Sequence, residues 1–121
     1  MGLMSNKKLG TDFEQEVCTI LARKGWWVHF VAPDARGAQP FDIIAVKAGQ
    51  AMAIDCKTCV ANTFSIGRLE ENQIMAFERW ILCGNEMPIV MVKHEDKIYS
   101  IPYCKIKEEK SVKIKEEFLF E

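Results

Sequence analysis

Two apolar runs separated by a short turn constrain the fold more than any other stretch of the chain. Phe41–Val46 and Ala51–Lys57 have the length and apolar content of strands, and Ala48–Gly49 lies midway between them. Such a pattern predicts a β-hairpin. A two- or four-residue loop centred on Ala48–Gly49 places Asp42 directly opposite Asp55, whereas a three-residue loop would break this register.

The hairpin places charged side chains where apolar ones are expected. Opposed side chains on one face have Cβ atoms about 4.5–5.5 Å apart, so carboxylates at Asp42 and Asp55 would repel each other. A bound divalent cation reverses this effect, since Mg²⁺ prefers oxygen ligands. Alternation along a strand puts Lys57 on the face of Asp55, and Cys56 on the other face. We therefore predict two acids and one amine clustered around one point.

Two predicted helices each carry a polar side chain within an apolar face. Thr11–Lys24 has the form of a capping box at its start, and Glu14 falls inside its apolar arc. Leu69–Cys83 has Gln73 near the middle of its apolar arc. A glycine follows each helix, which suits its end. Because such faces pack on a sheet, we expect Glu14 and Gln73 to point toward the acid cluster.

The remaining segments predict a mixed order of helices and strands. Three further strands are predicted, at Trp26–Val31, Ile89–Val92 and Lys97–Ile101. The charged tail 103–121 could be a helix, an edge strand or a partner-binding tail. The order α-β-β-β-α-β-β is typical of an α/β or α+β sandwich. With no repeats and no linker, residues 1–121 are interpreted as a single domain.

Composition and charge exclude several classes of protein. No apolar run approaches the roughly 20 residues that span a bilayer, and the N-terminus lacks the apolar core of a signal peptide. Five cysteines at scattered spacings favour reduced thiols, and hence a cytoplasmic protein without a membrane partner. The net charge of −1 argues weakly against extensive phosphate contacts. However, basic residues outnumber acids before Leu69, which permits a nucleic-acid partner.

Each candidate residue also has a purely structural interpretation. Glu14 could serve only the capping box, and Asp42 could be a turn or edge residue. Lys57 could be a solvated strand end, and Gln73 a buried glutamine bonded to the backbone. The Cys56–Cys59 pair invites a zinc or redox interpretation, but no second Cys/His pair accompanies it. Thiols that fill space are the simpler interpretation.

Four segments together resemble a known family. GTDFEQEVCTILARKGWWV, PFDIIAV, AIDCKT and EENQIMAF resemble, in order and spacing, the PD-(D/E)XK nuclease superfamily, and look closest to the archaeal Hjc and bacterial RecU Holliday-junction resolvases. The resemblance covers about residues 9–102. It implies a restriction-endonuclease-like αβββαβ core with a central mixed sheet flanked by helices. Two departures are Phe41, which separates Pro40 from Asp42, and the lack of the longer RecU insertion.

The resemblance also implies roles for individual residues. The first-helix glutamate is Glu14, the metal-binding aspartate is Asp42, the (D/E)-x-K pair is Asp55 and Lys57, and the second-helix glutamine is Gln73. Mg²⁺ or Mn²⁺ would be held by Asp42, Asp55 and the backbone carbonyl of Cys56, with Glu14 bound directly or through water. Lys57 would position the attacking water and stabilise negative charge, and Gln73 would orient that water or Lys57.

The implied activity is metal-dependent, structure-selective cleavage of DNA, namely Holliday-junction resolution in phage or bacterial recombination and repair. Symmetric cutting of two strands implies a homodimer, and no small-molecule cofactor is expected. Three loop or edge cations suit phosphate contacts: Arg36, Lys47 and Arg68. The alternatives are a related nuclease that acts on flaps, ends or specific duplexes, a non-cleaving nucleic-acid-binding module with this fold, and a pure interaction protein.

Overall fold

The structure, a computed structural model, describes the backbone of residues 6–121 and the side chains of residues 12–121. Within residues 6–121 there are three helices: α1 (Asn6–Arg23), α2 (Glu71–Leu82) and α3 (Tyr103–Glu109). Seven strands accompany them in the described part of the chain: β1 (Trp27–Phe30), β2 (Ile43–Lys47), β3 (Gln50–Thr58), β4 (Thr63–Ser65), β5 (Ile89–His94), β6 (Lys97–Pro102) and β7 (Ser111–Lys113). Short 3-10 turns lie at Ile66–Arg68 and Glu116–Phe118.

A five-stranded mixed sheet forms the centre of the molecule. Its order is β1-β2-β3-β5-β6, and only the β3–β5 pair is parallel. Helix α1 packs on one face, where Val17 and Leu21 meet Ile54 and Met91. Helices α2 and α3 cover the other face, through a cluster that includes Phe77, Ala53 and Ile106 among other residues. The expected mixed sheet flanked by helices, of the α+β class, is confirmed.

The β2–β3 hairpin has the predicted two-residue turn. Ala48 and Gly49 both have positive φ, 51° and 79°, as a type I′ turn requires. Ile43 pairs with Ile54, and Lys47 pairs with Gln50. The paired residues follow the predicted register. The ladder ends at Ile43–Ile54, however, and Asp42, just before β2, donates its N–H to the Ile54 carbonyl, so Asp42 lies close to Asp55 but is not its ladder partner.

Helix α1 is longer than predicted at its start and ends as predicted. It begins at Asn6 rather than Thr11, so the predicted helix start is wrong. The side chain of Thr11, which the predicted capping box involves, is not among the side chains that the structure describes. At its other end the N–H of Trp26 donates to the Leu21 carbonyl at 3.0 Å and the N–H of Gly25 to that of Ala22. With φ of 94° at Gly25, this is a Schellman motif, which needs glycine at that position.

The tail beyond Pro102 is an integral part of the packing. Helix α3 buries Tyr103 and Ile106 against α2 and the sheet. Strand β7 pairs antiparallel with β4 and buries Val112 opposite Phe64. The tail thus contains both a helix and a strand, two of the three forms that its sequence left open.

Within the described residues, no helix combines the length and apolar character needed to cross a bilayer.

Candidate active site

The end of the β2–β3 hairpin brings two acids together. The Asp42 backbone is held from both sides, since its N–H donates to the Ile54 carbonyl at 3.0 Å and its carbonyl accepts from the Val31 N–H at 2.9 Å. Asp55 follows Ile54 on β3, the central strand of the sheet. Both side chains are buried. Two carboxylates therefore share a site from which water is largely removed.

Asp55 is the most deeply buried of the acids. Its side chain has 0% exposure, and Oδ1 accepts a hydrogen bond from the Gln73 amide at 2.9 Å. The side chain of Lys57 is 19% exposed, and its ammonium lies 3.4 Å from Oδ2 as an ion pair. No hydrogen-bond donor among the described residues satisfies Oδ2. Burial, followed by the charge of Asp42, raises the Asp55 pKa to about 8, although Lys57 opposes the shift.

Gln73 has two partners that fix its orientation. Its Oε1 accepts from the backbone N–H of Glu70 at the start of α2, at 3.0 Å, and its Nε2 donates to Asp55. Because the N–H can only donate and the carboxylate oxygen accepts, the two ends of the amide cannot exchange without loss of both bonds. Gln73 is thus bonded to the backbone and also contacts the acid cluster, so both interpretations of this residue apply.

Asp42 is held through both of its carboxylate oxygens. Oδ2 accepts from the backbone N–H of Cys56 at 2.7 Å, and Oδ1 accepts from the side-chain amide of Gln39 at 3.0 Å. Since the N–H and carbonyl of a strand residue leave the backbone on the same side, the Cys56 carbonyl is expected on the side of β3 that faces β2. Gln39 is not among the residues predicted from the sequence. Its position three residues before Asp42 was the one indication that its side chain could reach this acid.

Glu14 joins the cluster from α1. Burial, then the charge of Asp42 and a hydrogen bond with it, raises the pKa of Glu14 to about 7, while Lys57 acts in the opposite direction. The structure therefore brings together all five predicted side chains: Glu14, Asp42, Asp55, Lys57 and Gln73.

The chemistry of this cluster fits a small divalent cation. Within the described part of the chain, no three His, Cys, Asp or Glu side chains form a metal site by themselves. Mg²⁺ does not require three, because it is usually held by one or two carboxylates and retains several waters. Asp42 and Asp55 supply two carboxylates, and Asp55 has a buried oxygen that lacks a hydrogen bond. The two carboxylates repel each other, and a divalent cation between them would offset this repulsion. The unsatisfied Asp55 oxygen is also a suitable ligand for Mg²⁺ or Mn²⁺.

Comparisons with known proteins place this chain in a family. The family model described as archaeal Holliday junction resolvase (Hjc) matches residues 5–119. The chain belongs to this resolvase family. The family is part of the PD-(D/E)XK nuclease superfamily, so the expected superfamily membership is confirmed. Membership supports a nuclease that resolves Holliday junctions.

Solved structures support the same fold. The Holliday junction resolvase Hjc of Archaeoglobus fulgidus matches with a TM-score of 0.64 and 22% identity, over 88% of this chain and 87% of that one. The crystal structure of SSO0001 matches with a TM-score of 0.46 and 17% identity, over 78% of this chain and 50% of the other, which is too weak to define a shared fold. No curated protein sequence matches the chain. Because the resolvase family is described as archaeal, a phage or bacterial setting stays a prediction.

The three cations predicted to contact phosphates are engaged locally. Arg36 forms a 3.1 Å ion pair with Asp34. Lys47 donates at 2.7 Å to the Lys24 carbonyl just beyond the end of α1, and Arg68 donates at 2.8 Å to the Thr58 carbonyl. The structure does not bring these three cations into the acid cluster.

A cleft lies between α2 and the loop after β1; Gln39 lines it, but none of the five clustered side chains does. Its volume is about 420 Å³, and Arg36 and Arg79 line it together with Gln39. Sequence reasoning did not select Arg79, whose helical position resembles that of any solvated cation.

Proposed function

We propose that this protein is a divalent-metal-dependent endodeoxyribonuclease that cuts branched DNA, with Holliday junctions as its substrate. The observation that carries the proposal is the buried Asp55 carboxylate, which has an oxygen without a hydrogen bond beside the Lys57 ammonium and lies near the carboxylate of Asp42. A fold stabilised only by packing would not bring two acids close together in its interior, since burial and like charge are both destabilising there. Membership in the resolvase family supports the junction as substrate.

The proposed ligands for Mg²⁺ or Mn²⁺ are Asp42, Asp55 and the backbone carbonyl of Cys56, with Glu14 bound directly or through water. The ion, when bound, would polarise the scissile phosphate and lower the pKa of a coordinated water. The residues prepare this site in advance. The Cys56 N–H and the Gln39 amide hold Asp42, and Gln73 holds Asp55, so neither carboxylate needs to reorganise.

Lys57 is the proposed electrostatic catalyst. Its side chain lies on the face of Asp55 and is four-fifths buried, so its charge is screened less than that of an exposed lysine. There it can stabilise negative charge that develops on the phosphate and orient the attacking water. Gln73 keeps the orientation of Asp55 fixed while Lys57 interacts with the phosphate of the substrate. In-line attack at phosphorus is expected to leave a 5′-phosphate.

Assembly and DNA binding complete the proposal. A junction has two strands to cut in symmetric positions, so we propose a homodimer with one site in each protomer, which light scattering would measure. We propose Arg36 and Arg79, which line the cleft, as phosphate contacts. Lys47 and Arg68 stay weaker candidates, because each would give up a backbone carbonyl partner. A cytoplasmic location also stays a prediction.

The deciding experiment compares wild-type protein with Asp55→Asn on a labelled four-way junction and on the matching linear duplex, with Mg²⁺ or Mn²⁺. A control variant, Asp12→Asn, changes an exposed acid on α1 by the same chemistry. We expect symmetric nicks in the junction alone, lost in Asp55→Asn and retained in Asp12→Asn. Cleavage of both substrates would leave a nuclease without junction selectivity. Tight DNA binding without cleavage by the wild type would instead favour the non-cleaving module.

A further inference from the structure

Gln39 stands out among the polar residues around the site because it has several partners and because the family resemblance implies no role for it. Its Nε2 lies 3.0 Å from Asp42 Oδ1 and 3.1 Å from the Val31 carbonyl, with the Phe41 carbonyl at 3.5 Å. Every partner can only accept, so the NH₂ end of the amide must face them. The side chain is half-buried, in the loop that leads into Asp42. Gln39 thus joins the end of β1 to the carboxylate.

The consequence for Asp42 is a fixed orientation. One oxygen is held by Gln39 and the other by the Cys56 N–H, at 3.0 and 2.7 Å. Rotation of the carboxylate about its Cβ–Cγ bond would break both bonds. Each carboxylate oxygen has two lone-pair sites, so the carboxylate keeps acceptor capacity for a cation after these bonds form. Asp42 is therefore oriented while it can still bind a cation.

Helix α2 fixes Gln39 in turn. The side-chain amide of Asn72 donates to the Gln39 backbone carbonyl at 2.8 Å. The next residue, Gln73, donates to Asp55. Two consecutive residues in the first turn of α2 thus reach the two acids by separate routes, one directly and one through Gln39. A neutral amide suits this task, because a cationic donor would reduce the attraction of the site for a metal ion.

We propose that Gln39 is the positioning residue of Asp42, and that Asn72 supports it from α2. The inference rests on the proposed function, in which Asp42 is a metal ligand. Residues that orient ligands in this way typically change metal affinity by roughly 10–100-fold when they are removed. The expected defect is therefore weaker metal binding, with a turnover rate close to wild type once the site is saturated.

The test measures binding of Mn²⁺ alone to the full, metal-free chain by titration calorimetry. Gln39→Leu removes the amide and keeps the approximate volume, while Gln50→Leu makes the same change at an exposed position at the start of β3. Asn72→Ala removes only the supporting bond, and Asp42→Asn removes the ligand. Thermal melts report whether each variant is folded, and junction cleavage at rising Mn²⁺ separates the metal requirement from turnover.

We expect Gln39→Leu to weaken Mn²⁺ binding by roughly tenfold or more, Asn72→Ala to weaken it by a smaller factor, and Gln50→Leu to leave it unchanged. A folded Gln39→Leu protein with wild-type affinity, beside a weakened Asp42→Asn, would overturn the positioning role and leave the metal site intact. Unchanged affinity in Asp42→Asn would overturn the metal site and the positioning role with it. If Gln39→Leu fails to fold, Asn72→Ala decides, and wild-type affinity there overturns the proposal.

Discussion

Gln73 donates its amide hydrogen to Asp55 Oδ1 at 2.9 Å, and this bond joins helix α2 to the acid at the centre of the sheet. The same side chain accepts the Glu70 N–H at the start of the helix. Gln73 thus links the start of α2 to the orientation of Asp55. A change at Gln73 therefore affects the site even though the fold can retain its packing around Phe77.

Gln73→Glu tests this coupling with an almost isosteric change. The bond from the Glu70 N–H can persist, but the donor toward Asp55 becomes a second carboxylate oxygen. Two like charges in contact raise the pKa of both groups, so we expect cleavage to fall by about tenfold or more. Gln50→Glu, which adds the same charge at an exposed position, should cleave like the wild type. Equal activity of the two variants would contradict the coupling.

Asp55→Asn should change how the stability of the metal-free protein depends on pH. The folded-state pKa of Asp55 is raised to about 8 by burial and by Asp42. An acid with a raised pKa contributes most stability below its ordinary pKa and loses that contribution as the pH rises through the folded value. The wild type should therefore lose stability between about pH 4 and pH 8 relative to the variant.

The measurement is the difference in free energy of unfolding between wild type and Asp55→Asn, in the presence of a chelator. We expect Asp55→Asn to be the more stable protein above pH 8, by about 1 kcal/mol or more, although it loses the ion pair with Lys57. Asp12→Asn should show no such trend, because its carboxylate is exposed. A wild type that is more stable than Asp55→Asn at high pH would rule out this interpretation.

The hairpin and the candidate site could be predicted from sequence because their determinants are local. The spacing of Asp42, Asp55 and Lys57 around Gly49 determines the register, and a two-residue turn leaves no alternative face. Gln73 could be selected because a polar residue inside an apolar helical arc must have a partner.

The elements that were missed depend on distant contacts. Strand β4 has three residues, too few for a periodic pattern, and its partner β7 lies far along the chain. The charges of the tail conceal Tyr103 and Ile106, which are buried only because α3 folds back on α2. The partners of Arg36, Lys47 and Arg68 are backbone carbonyls or a nearby carboxylate, which a search for surface cations does not consider.

Tyr103→Phe tests how the tail is attached. The Tyr103 hydroxyl donates to Glu78 at 2.6 Å, and Lys107 also contacts this carboxylate, so the Glu78 pKa is lowered, first by the tyrosine and then by the lysine. We expect the change to cost about 1 kcal/mol near neutral pH, since Glu78 is partly exposed and its interactions are screened.

The pH dependence distinguishes this hydrogen bond from lost packing. A carboxylate with a lowered pKa contributes stability above its ordinary pKa of 4.5, and this is lost as the pH falls through the folded value. The difference between wild type and Tyr103→Phe, measured by urea unfolding, should therefore shrink in acid. If the difference in free energy of unfolding keeps its neutral-pH value when the pH falls below about 4, the effect is due to packing.

Ala48→Asn should stabilise the hairpin that carries the site. Ala48 has a φ of 51°, a left-handed conformation that alanine adopts at a cost and that asparagine tolerates far better. Asn-Gly is also the preferred pair for a type I′ turn, so we expect a gain of about 0.5–1 kcal/mol, or about 2–4 °C in Tm. Gly49→Ala is the matched opposite change, since alanine at φ 79° is strained, and it should lower the Tm. Because the turn fixes the register of Asp42 and Asp55, Ala48→Asn should leave metal affinity unchanged, and a lower Tm in this variant would contradict the assigned turn geometry.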